Sequence, residues 1–260
     1  MYYVMSEPHG NAEAYFDMKK KINYSVTDQL YILGDVLGGD PAHPEQCLKI
    51  LDDIMEYPNI HLVLGDFEYN YVLYEMENNY QKRMNYKNKL SSLYGGAEFI
   101  NYMDTLPWKV KQKYIDFLFA REVSEVIFAG QRLFYLVHGS PAVCASEGMG
   151  DLAKWQRKVV ETPLGLKSNY KMAILSDGWL SERKDIDFDK VVVIAGHKST
   201  ASFENNKSIL RNHAPMIFIK NRLMIHCGNY EDGECIDNTL CCLEIDDGGE
   251  HITIYYRHED

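Results

Sequence analysis

The stretch His61–Asn70 reads "HLVLGDFEYN": an apolar run, Leu62 to Leu64, breaks at Gly65, and Asp66 and Glu68 then stand on either side of Phe67. A short apolar run ended by glycine predicts a buried strand over Ile60–Leu64. Acids gathered at a strand end point to chemistry, because ligands of α/β sheets bind beyond the carboxyl ends of the strands. Phe67 is the anomaly in the stretch, since exposed strand ends usually carry polar groups.

The same layout occurs twice upstream. Tyr2–Met5 runs into "SEPHGN" and Leu30–Leu33 into "GDVLGGD". A helix is expected over Asn11–Lys21, with Asn11 as N-cap and Ala12, Phe16 and Ile22 buried, and another over Pro44–Glu56, where Cys47, Leu48, Leu51, Ile54 and Met55 keep helical spacing. Strands alternating with helices predict a parallel sheet covered by helices. From Asn70 to about Arg121 the text is rich in Tyr and Asn with helical spacing, which predicts a helical insertion over about 70–122. Strand signals return at Val123–Ala129 and Leu133–Val137, joined as a hairpin and ending at His138. A looser segment, Ala142–Asp189, precedes "KVVVIAGHKST" (190–200). The segments "NRLMIHCGN" (221–229) and "TLCCLEIDDGGEHITIYYR" (239–257) read as antiparallel strands with a turn at Asp247-Gly248-Gly249. A single domain spanning 1–260 is expected.

With a formal charge of -11 over 260 residues, neither nucleic acid nor an anionic membrane surface is expected as the main partner, since both need basic patches. The six cysteines show no C-x-x-C spacing, so a zinc knuckle is not expected and reduced thiols are. No apolar run approaches the length of a membrane span, and the N-terminus lacks a basic region followed by an apolar one. The expected location is the cytoplasm.

Five apolar runs thus end in polar clusters: Glu7 with His9, Asp35, Asp66 with Glu68, His138, and His197. Carboxylates and imidazoles collected on one rim are ligands for first-row divalent metals, and a pair of ions about 3.5–4 Å apart requires a shared carboxylate, for which Asp35 is the best placed. Glu68 reads instead as a helix-start carboxylate on the macrodipole. His226 reads as a core or supporting residue rather than a catalytic one.

In order and spacing these clusters resemble the calcineurin-like metallophosphoesterases, particularly the bacterial serine/threonine protein phosphatases and the diadenosine tetraphosphatases. Those families read D-x-H-G-N, G-D-x-x-D-R-G, G-N-H-E, a strand-end His, and G-H-T. The corresponding stretches here are Glu7-Pro8-His9-Gly10-Asn11, Gly34 to Asp40, Gly65-Asp66-Phe67-Glu68, Leu136-Val137-His138-Gly139 and Ala195-Gly196-His197-Lys198. The resemblance implies an α/β fold, a four-layer αββα sandwich, with two divalent ions of the Mn, Fe or Zn type. It places Glu7, His9 and Asp35 on the first metal, and Asp35, Asp66, His138 and His197 on the second.

Four departures from the family pattern bear on the chemistry. Phe67 stands where the family has the His that assists the leaving group, so that catalytic position is vacated. Gly39 stands where the family supplies a phosphate-binding Arg, and neither Arg157 nor Arg183 aligns securely with the second such Arg. Glu7 replaces an Asp, and Asp66 an Asn. His43 and His213 are loop candidates to replace the missing acid. The expectation is a phosphoesterase with weakened or altered activity on a phosphorylated small molecule, a nucleotide or a phosphoprotein. The alternative is an inactive pseudo-phosphatase that binds metal, phosphate or protein.

Overall fold

Alternation within single strands builds this fold. The computed structural model describes residues 1–139, 191–197, 217–219, 222–226 and 240–256. In chain order the elements are β1 (Tyr2–Met5), α1 (Ala12–Lys21), β2 (Gln29–Ile32), α2 (Gln46–Glu56), β3 (Ile60–Leu62), α3 (Asp66–Met76), α4 (Tyr80–Ser91), α5 (Gly96–Thr105), α6 (Trp108–Phe119), β4 (Ser124–Ala129), β5 (Arg132–Val137), β6 (Val191–Ala195), β7 (Ile217–Ile219), β8 (Arg222–Met224), β9 (Cys241–Ile245) and β10 (Ile252–Tyr256). The first sheet has the order β10-β9-β1-β2-β3 and the second β4-β5-β6-β8-β7. Strands β1, β2 and β3 are parallel to one another, as are β5, β6 and β8.

In the first sheet Tyr3, Met5, Leu30 and Ile32 point into a cluster shared with the helices. Their neighbours Val4, Tyr31 and Leu33 point the other way, into a cluster with Phe134, Leu136, Ile194 and Leu223 of the second sheet. The opposite face of the second sheet is buried too, at Tyr135, Val137, Val193, Ala195 and Met224. Two stacked sheets with helices covering the first agree with the expected αββα sandwich; residues 140–190 lie outside the described residues.

Parallel strands bring their carboxyl ends to one rim, and the loops beyond keep pairing. Glu7 N–H donates to the Gly34 carbonyl (3.2 Å), His9 N–H to Asp35 (2.9 Å) and Gly10 N–H to Val36 (2.8 Å). In the second sheet Gly196 N–H donates to His138 (2.9 Å) and Ile225 N–H to Ala195 (2.9 Å). The functional loops are therefore continuations of sheet hydrogen bonding.

Three expectations need correction. In α1, Asn11 caps as expected by accepting from Ala14 N–H (2.9 Å), but Tyr15 and Met18 take the buried face and Phe16 is half-buried. The helical stretch begins at Asp66 rather than near Asn70, because Gly65 is already the N-cap of α3. Strand β8 does not join β9 and β10 in one antiparallel sheet. It runs parallel to β6 in the second sheet, antiparallel only to β7, while the β9–β10 hairpin extends the first sheet. Among the described residues no helix is long and apolar enough to cross a membrane.

Candidate metal centre

Glu7 leaves β1 at the sheet junction, and its carboxylate reaches across to the second sheet. Oε1 accepts from His197 N–H (2.7 Å) and Ser6 Oγ (3.0 Å) and lies 3.1 Å from His138 Nδ1. That leaves Oε2 turned towards His9 Nε2 (3.1 Å) and His226 Nδ1 (3.9 Å). The longer side chain at this position thus spans two strand ends.

Asp35 and Asp66 meet beneath the N-terminus of α3. Asp35 Oδ1 accepts from Phe67 N–H (3.1 Å), a carboxylate on the positive end of a helix. Gly65 is required here because a Cβ would overlap Asp35 Oδ1. Glu68, fully buried, has one carboxylate oxygen on the N–H groups of Asp35 and Gly65 (both 2.9 Å) and the other on Leu37 N–H (2.8 Å). It is a clamp between two loops as well as a helix-start acid.

His138 stands at the centre. Its Nδ1 lies 2.7 Å from the Leu33 carbonyl, which can only accept, so Nδ1 carries a proton. The other nitrogen, Nε2, is buried without a hydrogen-bond partner among the described residues and faces Asp66 Oδ1 at 3.6 Å and Asp35 Oδ1 at 3.7 Å. Two donors each about 2.1 Å from one ion, at angles of roughly 90–120°, lie about 3.0–3.6 Å apart, so this spacing fits a shared cation. A ligating histidine characteristically donates its second N–H to a carbonyl or carboxylate, as His138 does. Among the described residues the side chains converge as two groups, Glu7–Asp35–His138 and Asp66–His138–His197. His138 belongs to both, and His9 joins through Glu7.

Electrostatics point the same way. Burial, reinforced by Asp66, drives the Asp35 carboxyl well above the usual carboxylate range. Burial also pushes Asp66 up, but hydrogen bonding and charge from His138 outweigh it and hold Asp66 at about 2. Glu7 is held well below its ordinary value because His138 and His226 outweigh its burial, and His138 is raised in turn by Glu7 and Asp35 against its own burial. Backbone strain is concentrated here as well: of five non-glycine residues with positive φ among the described residues, four are Glu7 (58°), His9 (41°), Asp35 (49°) and His197 (63°).

The calcineurin-like phosphoesterase family matches residues 2–223. This chain belongs to that family. No curated protein matches the sequence. A serine/threonine protein phosphatase from Saccharomyces cerevisiae is similar in structure, at 11% identity with a TM-score of 0.58, covering 100% of this chain and 80% of that one. A protein provisionally assigned as a diadenosine tetraphosphatase has a TM-score of 0.50 at 12% identity, covering 98% and 92%. At such identities the likeness supports the fold.

In this calcineurin-like phosphoesterase the centre opens into a cavity of about 530 Å³, lined by Glu7, His9, Asp35, Asp66, His197 and His226 together with Gly39, Phe67 and Ser92–Tyr94. Phe67 is 2% exposed, its ring meeting Phe99 edge-on at 5.9 Å. His43 is 61% exposed, pairs with Glu45 at 3.5 Å and is not among the cavity-lining residues. His213, Arg157 and Arg183 lie outside the described residues.

Gly39 has φ +89°, and a Cβ there would collide with the His9 carbonyl oxygen. The loop backbone thus leaves no room for a side chain at position 39. Gly39→Arg should lower unfolding stability by about 1–3 kcal/mol through strain at positive φ, without improving phosphate affinity. Urea unfolding together with phosphate inhibition constants checks this, and tighter phosphate binding would refute it.

Proposed function

We propose that the chain is a metal-dependent phosphoesterase that holds two divalent ions of the Mn, Fe or Zn type among Glu7, His9, Asp35, Asp66, His138 and His197. Its substrate is a phosphate ester whose leaving group departs with little protonation. The observation that carries this reading is His138, with Nδ1 tied to a carbonyl and Nε2 turned towards Asp35 and Asp66. When bound, such ions make water nucleophilic near neutral pH and offset charge on phosphoryl oxygens. Asp35, held by Phe67 N–H, is the carboxylate that would be shared between the two ions, and Glu7 ties one sheet's ligands to the other's. Phosphoproteins and nucleotides are the substrate classes suggested by the structural neighbours. They are compatible with a cavity whose lining includes Phe67, Leu93 and Tyr94.

Chelator-stripped protein given Mn²⁺ at a hundred times its dissociation constant should gain about 2.7 kcal/mol of stability. That corresponds to a rise in melting temperature of roughly 5–10 °C for a chain of this size. Bis-para-nitrophenyl phosphate should be hydrolysed only with metal and not by Asp35→Asn. No metal-dependent stabilisation refutes the proposal. Stabilisation without hydrolysis across a broad panel assigns the pseudo-phosphatase reading, which is favoured by the burial of Phe67 and the lack of room for a side chain at Gly39.

A further inference from the structure

We propose that His226 is a further nitrogen ligand of this centre, serving the cation on the Glu7–His9 flank. The inference rests on the metal-binding reading above but concerns a residue outside the motifs that suggest it. After β8, Ile225 N–H still pairs with the Ala195 carbonyl at 2.9 Å, which sets His226 beside His197 at the rim. His226 is 4% exposed and lines the cavity. Its Nδ1 lies 3.2 Å from the His197 carbonyl oxygen. A carbonyl cannot donate, so Nδ1 is the protonated nitrogen and Nε2 carries the lone pair. That Nε2 is buried with no hydrogen-bond partner among the described residues.

A buried acceptor left unmatched costs about 1–3 kcal/mol. A histidine placed only to fill the core would be expected to meet a donor at that atom. Like His138, His226 has one nitrogen on a carbonyl and the other buried without a hydrogen-bond partner among the described residues. Its ring sits beside the Glu7–His9 flank: it lies 6.2 Å from the His9 ring, and its nitrogen nearest Glu7 Oε2 is Nδ1, at 3.9 Å. Neutral imidazole is a ligand for Zn, Fe, Co and Ni, so an ion of this class is the one His226 suits.

The test is titration of the full-length, chelator-stripped chain with Co²⁺, following both the binding isotherm and the cobalt d–d absorption. His226→Asn keeps an amide N–H near the position of Nδ1 for the His197 carbonyl and removes the donor at Nε2. The unsubstituted chain should bind two Co²⁺, and in His226→Asn one of the two affinities should fall at least about tenfold, with a changed d–d spectrum. Equal affinities for both ions in the two proteins would overturn the role of His226 and leave the proposed function standing. No Co²⁺ binding by the unsubstituted chain would overturn both. A measurement independent of variant folding uses the chain labelled with ¹⁵N in its imidazoles. On addition of Zn²⁺, unprotonated nitrogens of four histidines should shift, those of His9, His138, His197 and His226, whereas a shift confined to three overturns the assignment.

Discussion

Replacing Glu68 by alanine should cost roughly 3–6 kcal/mol of unfolding stability and weaken metal binding with it. The reason is an accounting of backbone donors. The buried carboxylate takes the N–H groups of Asp35, Leu37 and Gly65 at 2.8–2.9 Å, tying the loop after β2 to the start of α3. Each buried donor left without an acceptor costs about 1–3 kcal/mol, and hydrogen bonds to a charged acceptor lie towards the upper end. Alanine strands all three. Two of them flank or carry the backbone of residues that frame the centre: Asp35 has φ 49°, a conformation that persists only where its surroundings enforce it. Glu68→Gln should fall between, because one carboxamide oxygen accepts while the NH₂ group faces a backbone N–H. Urea unfolding and Mn²⁺ titration measure both effects. A loss below about 1 kcal/mol in Glu68→Ala would show that water replaces the carboxylate at little cost.

Glu68 also shows where sequence reading stops. An acid three residues past a glycine is legible as a helix-start carboxylate, because that role depends on neighbours in the chain. Its partners at Asp35 and Leu37 lie 33 and 31 residues away and become visible only once β2 and β3 pair. The strand ends carrying Glu7, His9, Asp35, Asp66, His138 and His197 were legible for the same local reason: an apolar run stops and a polar cluster begins. How those clusters share ligands was not. His138 touches both halves of the centre because the second sheet stacks on the first with Leu33 and Leu136 in one interior, and no periodicity records that stacking. The position of β8 was missed for a related reason, since a three-residue strand carries no signal of whether its neighbour is parallel. With β8 misplaced, the proximity of His226 to His197 could not be anticipated. In α1 the buried stripe shifted from Phe16 to Tyr15 because the Tyr15 hydroxyl finds Asp53 at 2.7 Å, which lets a tyrosine be buried.

Alkyl phosphate esters should be hydrolysed about 10²–10⁴-fold more slowly than aryl esters beyond the contrast seen when a positioned acid protonates the leaving oxygen, because that is what such an acid contributes. Phenyl has no proton to give, and the ring of Phe67 is packed against Phe99 rather than turned out to solvent. The dependence of rate on leaving-group pKa across a series of phosphate esters should therefore be steep. Phe67→His should flatten it by raising the alkyl rates tenfold or more while leaving aryl rates little changed. The same substitution removes buried apolar surface and places an imidazole in an apolar wall, at a cost of roughly 1–3 kcal/mol, so rates must be compared below the variant's unfolding transition. Two outcomes would separate the ideas behind this expectation. A shallow dependence in the unsubstituted chain would mean that another group already delivers the proton, and the vacancy at Phe67 would lose its consequence. A steep dependence that Phe67→His leaves unchanged would mean that an imidazole on this backbone stays with Phe99 and does not reach the leaving oxygen, so that position 67 now belongs to the core.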